Sequence, residues 1–229
     1  MNTHIGTRWV RAGLVALPVY ALLTAWSSIT PQPNQETDPE GWASFVSTDR
    51  YLISHLIGSI GGTIIAIFGI FALGVYLAST RSGRLAVASM VMTAFGHALL
   101  LVPAVISTFA TPAIGRAYLS GLTDVMQVQF SGALTTTFLL GLVLAFAGSI
   151  LLGIAMWRSR AVPVGAAVLW IVAAIVFYPL GVVIGIATVN ATVPTQSIGA
   201  VLIAISGAWI AWSAFRESRP AFSSATANA

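Results

Sequence analysis

Sixteen charged side chains divide this 229-residue chain into long stretches that carry no Asp, Glu, Lys or Arg. The uncharged runs are 12–35, 51–80, 85–115, 125–157 and 161–215. A helix rises 1.5 Å per residue and the hydrocarbon core of a bilayer is about 30 Å thick, so about 20 apolar residues suffice to cross it. All five runs are long enough. A soluble domain is charged at roughly a quarter of its residues; here the charged fraction is 7%, against 57% hydrophobic. That pattern excludes a soluble enzyme and a nucleic-acid-binding domain, and the absence of Cys excludes a secreted disulfide scaffold. The net charge of +4 does not point to nucleic acid, because the arginines sit at the ends of apolar runs.

Four runs hold one helix each. The fifth, 55 residues long, holds two, divided at the polar stretch Asn190–Gln196 with its Pro194. The sequence therefore predicts an all-α integral membrane bundle, one membrane domain with six transmembrane helices over 12–30, 51–79, 85–109, 133–157, 163–189 and 197–215. With a cytoplasmic N-terminus, Arg8, Arg11, Arg81, Arg84, Arg158, Arg160, Arg216 and Arg219 fall inside. Only Arg50 and Arg116 then fall outside, and both termini are cytoplasmic, as the positive-inside rule requires. Trp9, Trp26, Tyr51, Tyr76, Trp157 and Trp212 lie near span ends, where aromatic rings anchor. The first span also has features of a signal peptide: Arg8 and Arg11, an apolar run, then the small pair Ala25 and Ser27. All ten basic residues are Arg, a bias expected of a GC-rich genome, so the location expected is a bacterial plasma membrane.

Two outer loops are expected. Residues 31–50 hold three prolines and four acids, and 110–132 carry Ile114, Tyr118, Leu122, Val125 and Gln129 on one helical stripe. That stripe suits an interfacial helix. The tail 220–229 is small and polar, and disorder is expected there. The sequon Asn190-Ala-Thr192 falls on the outer side, close to the membrane.

A shift of 79 residues superposes Gly62, Ala66, Gly69, Leu73, Gly74 and Arg81 on Gly141, Ala145, Gly148, Leu152, Gly153 and Arg160. Spans two–three and four–five then read as two same-direction helical hairpin repeats, related by a pseudo-twofold axis along the membrane normal. Helices in lipid associate by close backbone packing. Gly58 and Gly62, Gly141 and Gly153, Gly181 and Gly185, and Ala200, Ala204 and Ala208 supply small residues at multiples of four for that purpose. Pro18, Pro103 and Pro179 lie within spans and are expected to kink them.

No span carries a charge away from its ends, which argues against proton relays and ion-coupled pumping. What remains at depth is His55 and His97. By helical rise the two sit within about a turn of each other in the outer half of the membrane, on adjacent antiparallel spans. Gly58 and Gly96 leave room beside them. Paired imidazoles on facing helices can ligate a b-type haem. The other outcome is structural, with His97 hydrogen-bonded to Thr93 or to a facing hydroxyl. A zinc site using Asp49, His55 and an outer-loop acid would need three ligands. No metalloprotease, nucleophile-elbow, P-loop or dinucleotide motif occurs in the chain.

These features point to a non-enzymatic multi-pass membrane protein: a membrane partner subunit, or a small permease for a neutral or apolar solute. The alternative is a b-type haem electron-transfer protein using His55 and His97. The expected partners are the lipid bilayer and either another membrane protein or further copies of this chain. A permease would line a polar cavity with residues such as Ser59, Thr63, Thr93 and Thr135–Thr137.

Overall fold

A computed structural model describes residues 3–127, 131–189 and 193–216. Among these residues there are helices and no strands. Six helices are long and apolar enough to cross a membrane: α1 (Arg8–Ser28), α2 (Asp49–Ala78), α3 (Gly83–Leu119), α4 (Gly132–Ser159), α5 (Val164–Thr188) and α6 (Pro194–Arg216). Each packs on its neighbour in sequence, and α6 returns to pack on α1. The six thus form a closed ring.

What each helix buries identifies the solvent it is built for. Helix α2 buries Ala66, Gly69 and Gly74 and turns Phe68, Phe71 and Val75 outward. On α4, Gly141, Ala145 and Gly148 are buried while Leu139, Leu140 and Val143 are exposed. A soluble protein rarely leaves so much contiguous apolar surface exposed. In lipid the arrangement is favourable, because small residues let backbones approach and large ones contact acyl chains. The tightest crossing is between α3 and α4, where a Cβ on Gly96 would collide with the Ala145 backbone and come within 2.8 Å of the Gly141 carbonyl. Gly58 and Gly62 lie against α1 at Ser27 and Thr24, Gly153 against Ile171 of α5, and Gly181 against Gln196 of α6. Gly185 is buried.

The helices are interrupted at definable places. Pro18 has no N–H to offer the Leu14 carbonyl, which accepts from Leu17 N at 3.1 Å instead, and the helix has a turn at Leu14–Val15. Pro103 sits inside a helix that is continuous from Gly83 to Phe109. Two segments widen into π-helix, His55–Gly61 in α2 and Tyr178–Val183 in α5. Wide turns of this kind are common at functional sites.

One end of the ring carries Arg8, Arg11, Arg81, Arg84, Arg158, Arg160 and Arg216. There Arg81 Nε donates to the Arg158 carbonyl and the Tyr76 hydroxyl to the Ala161 carbonyl, tying two short connections together. The adjoining half of the ring is a dry core containing Leu17, Ile70, Leu73, Leu77, Leu152, Met156, Trp170 and Ile210. At the other end, the loop end, Asp38 Oδ1 accepts from Gly41 N at 2.9 Å and caps a short helix, Pro39–Val46. Trp42, Ala43 and Val46 of that helix pack with Tyr51, Ile114 and Tyr118. The stripe expected from Ile114 to Gln129 therefore stops early. Helix α3 ends at Leu119, Gly121 takes φ 95°, and Leu122 is exposed. Gln129, the stretch 190–192 with its sequon, and the tail 220–229 lie outside the described residues.

Candidate ligand-binding cavity

Among the described residues, three neighbouring cavities lie inside the loop-end half of the ring, apart from a fourth beneath the outer loops at Gln35, Glu36 and Tyr118. An outer one of about 140 Å³ is lined by Thr30, Gln32, Arg50, Tyr51, His55 and Gln196, among others. Beside it a cavity of about 400 Å³ shares Gln32, His55, Ser59 and Gln196 and extends between α3, α4 and α5. A deeper one of about 90 Å³ is lined by Tyr20, Thr24, Thr63, Ala66, His97 and Tyr178, with contributions from α6. Leu100, Phe177 and Tyr178 form a common wall between the last two.

His97 anchors the deep compartment. The Thr93 carbonyl can only accept, so the 2.8 Å contact to Nδ1 places the proton of the neutral imidazole there. Nε2 is then an acceptor, and the Tyr178 hydroxyl donates to it at 3.3 Å. The edge of Tyr20 closes the other side, its ring centroid 6.4 Å away and nearly perpendicular. Thr24 and Thr63 donate their hydroxyls to the Tyr20 and Ser59 carbonyls, at 2.9 and 2.6 Å. Their oxygens still have lone pairs for a guest. The compartment thus combines aromatic walls with uncharged hydrogen-bonding groups.

His55 sits one compartment outward, at the start of the π segment. Its ring stacks on Tyr51 with centroids 3.9 Å apart, and Nδ1 lies 3.0 Å from the Tyr51 carbonyl. By the same logic Nδ1 is the donor and Nε2 carries the lone pair. Tyr51 is itself held by its hydroxyl, 2.9 Å from Ser107 Oγ. Residues four apart lie on one face of a helix, and His55 and Ser59 line the same cavities. At the rim, Arg50 Nη2 donates to Thr30 Oγ1 at 3.0 Å.

The structure bears on two readings of the sequence. The histidines lie on one side of the ring interior but in successive compartments, and His97 Nε2 is already occupied by Tyr178. In this arrangement the two imidazoles meet different neighbours, Tyr51 and Tyr178. A three-ligand zinc site does not form either: among the described residues no group of three His, Asp or Glu side chains could hold a metal ion. Asp38 is spent on its cap, and His55 is turned onto Tyr51.

Of the hydroxyls expected in a polar cavity, Ser59 and Thr63 line one. Thr93 is fully buried and bonds the Ser89 carbonyl, while Thr136 and Thr137 bond their own helix at Gly132 and Ala133. Tyr20, Tyr178, Gln32 and Gln196 escaped the sequence reading. Two tyrosines in mid-span, each needing a partner for its hydroxyl in lipid, were the available signal.

Fold and cavity together define a six-helix protein of membrane type with an interior compartment. Residues 159–229, the part of the chain that holds α5, α6 and the C-terminal tail, are similar to a family described as Domain of unknown function (DUF2427). No curated protein and no solved structure matches the chain.

Proposed function

We propose that this chain is a small plasma-membrane permease that takes a neutral, partly apolar solute into its ring from the extracytoplasmic side. The observation that supports it most is the asymmetry of the interior. Cavities lined by amides, hydroxyls, imidazoles and aromatic rings fill the loop-end half, while packed apolar side chains close the arginine end. The positive-inside rule puts that closed end in the cytoplasm, along with both termini. Among the described residues Arg50, at the rim, is the only charged side chain lining these three cavities, so an uncharged solute suits them. In this reading the structure is an outward-facing state, and passage requires the dry core to part. The paired hairpins, α2–α3 and α4–α5, are the natural moving units. They occupy adjacent thirds of the ring, so the rotation relating them would be nearer one third of a turn than a half.

The test exploits the absence of cysteine in the chain. Proteoliposomes are subjected to an osmotic step with urea or glycerol, and re-swelling is followed by light scattering. Re-swelling faster than in protein-free vesicles is expected for at least one of these solutes. In Ser59→Cys the increment should be lost after a membrane-impermeant thiol reagent is applied from the loop side. Rates equal to those of empty vesicles, with or without the reagent, would refute a permease for such solutes.

A further inference from the structure

The 400 Å³ cavity has a wall that the ring does not close. The backbones of α4 and α5 pack along Val164–Phe177, but among the described residues no comparable packing continues beyond Tyr178. Pro179 lacks the N–H that an α-helix would use, and it lies in the π segment Tyr178–Val183, where α5 packs on α6 rather than on α4. Phe138 and Leu142 on one side and Val182 and Ile186 on the other line the cavity here, with Pro103 and Ala104 at its back, and Phe138, Leu142, Tyr178 and Val182 also belong to one apolar cluster, so the slot between α4 and α5 is narrow. Phe138 and Leu142 lie within the span Gly132–Ser159, about 24–30 Å along the helix from Arg158, within reach of a ~30 Å hydrocarbon core. The slot runs into the compartment where Gln32, His55, Ser59 and Gln196 supply polar groups.

An apolar slot that faces lipid and ends in a polar pocket fits one kind of molecule. We infer that the solute is a single-chain amphiphile entering sideways from the outer leaflet, its alkyl chain between α4 and α5 and a hydroxyl-bearing, uncharged head at His55. This rests on the function proposed above and specifies its substrate class. The head group is set by the hydrogen bonds. With Nδ1 held by the Tyr51 carbonyl, His55 offers a lone pair at Nε2, which must meet a donor. A hydroxyl supplies one; an ester or a deprotonated carboxylate does not. Gln32 and Gln196 each offer both a donor and an acceptor, which suits a polyol such as glycerol.

The experiment uses the full chain in lipid nanodiscs with a monoacylglycerol bearing a photoreactive diazirine in its chain. After irradiation, cross-links are mapped by peptide mass spectrometry. Labelling is expected within 138–142 and 182–186, and unlabelled monooleoylglycerol should compete for it at least tenfold better than methyl oleate or oleate. His55→Phe should weaken that competition roughly two- to tenfold, the span of one net hydrogen bond. Leu142→Trp and Ile186→Trp fill the slot from opposite walls, and either, if folded by its melting curve, should abolish the labelling. Labelling scattered over the outer surface, or equal competition by all three lipids, would overturn the inference. Urea or glycerol flux that persists alongside such a result leaves the permease standing, whereas neither flux nor competition removes both readings.

Discussion

Replacing Tyr178 by Phe removes one oxygen and tests the deep compartment directly. The bond lost to His97 Nε2 is 3.3 Å long and belongs to the weaker end of its class, and the hydroxyl also gives up its contact with the Ser149 side chain. Stranding a buried acceptor costs about 1–3 kcal/mol when nothing replaces the donor. Here something can. The adjoining compartment of about 90 Å³ exceeds the ~10–15 Å³ a water needs, and Thr24 and Thr63 give that water further partners. Hydrogen bonds between membrane helices average about 0.6 kcal/mol in double-mutant cycles, and the wet compartment puts this one in the same range. We therefore expect Tyr178→Phe to destabilise the protein by about 0.5–1 kcal/mol. The assay is reversible unfolding in mixed micelles, with a cycle through His97→Leu and the double variant. Coupling indistinguishable from zero would mean that the Tyr178–His97 bond is not formed. A loss above about 2 kcal/mol would mean that no water enters, and the compartment would then be closed to a polar guest as well.

Further consequences of the same structure can be tested independently. Gly96→Leu drives a side chain into the Ala145 backbone and should cost about 1–3 kcal/mol or prevent folding, whereas Gly132→Leu, with open space around it, should leave the melting temperature unchanged. Asp38→Ala removes the cap of Pro39–Val46 and should cost about 1 kcal/mol locally, seen as faster hydrogen exchange over 39–46 without a matching fall in global stability. For orientation, Thr37→Cys should react with an impermeant maleimide on intact cells and Ser79→Cys only after permeabilisation; the reverse result would invert the assignment of the arginine end.

The helical class could be read from the charges because lipid imposes a simple rule: a segment without charge and long enough to span must satisfy its own backbone, hence a helix. The small residues were legible for the same reason. Gly58, Gly62, Gly141, Gly153 and Gly181 all sit where another helix comes within contact distance. What could not be read was where helices depart from ideal geometry. Nothing in the residues 55–61 announces a π segment, yet it changes how the rest of α2 is turned relative to His55. His55 and His97 line neighbouring cavities, but azimuth decides what an imidazole meets, and spacing alone carries no azimuth across two helices. His97 meets Tyr178, a residue 81 positions away on α5.

The two halves of the ring differ because their inward-facing residues differ in kind. At the arginine end the interior positions are mostly Leu, Ile, Met, Ala and Trp170, and the buried hydroxyls of Ser89 and Ser206 are spent on backbone carbonyls. At the loop end they include tyrosines, histidines and amides, whose polar ends need partners and whose rings cannot interdigitate as tightly. Both π segments occur in that half, in α2 and α5, and both carry cavity residues: His55 and Ser59 on the first, Tyr178 and Val182 on the second. A wide turn adds a residue without adding length, which rotates the remainder of the helix relative to its neighbours. In α5 that rotation coincides with the opening toward α4. Pocket and portal therefore share one local cause, the Tyr178–Pro179 step. A variant such as Pro179→Ala, which restores the missing N–H, should tighten α5 onto α4, slow labelling in the slot, and raise the melting temperature. If labelling is unchanged while stability rises, the opening does not depend on the proline and its cause lies elsewhere in the π segment.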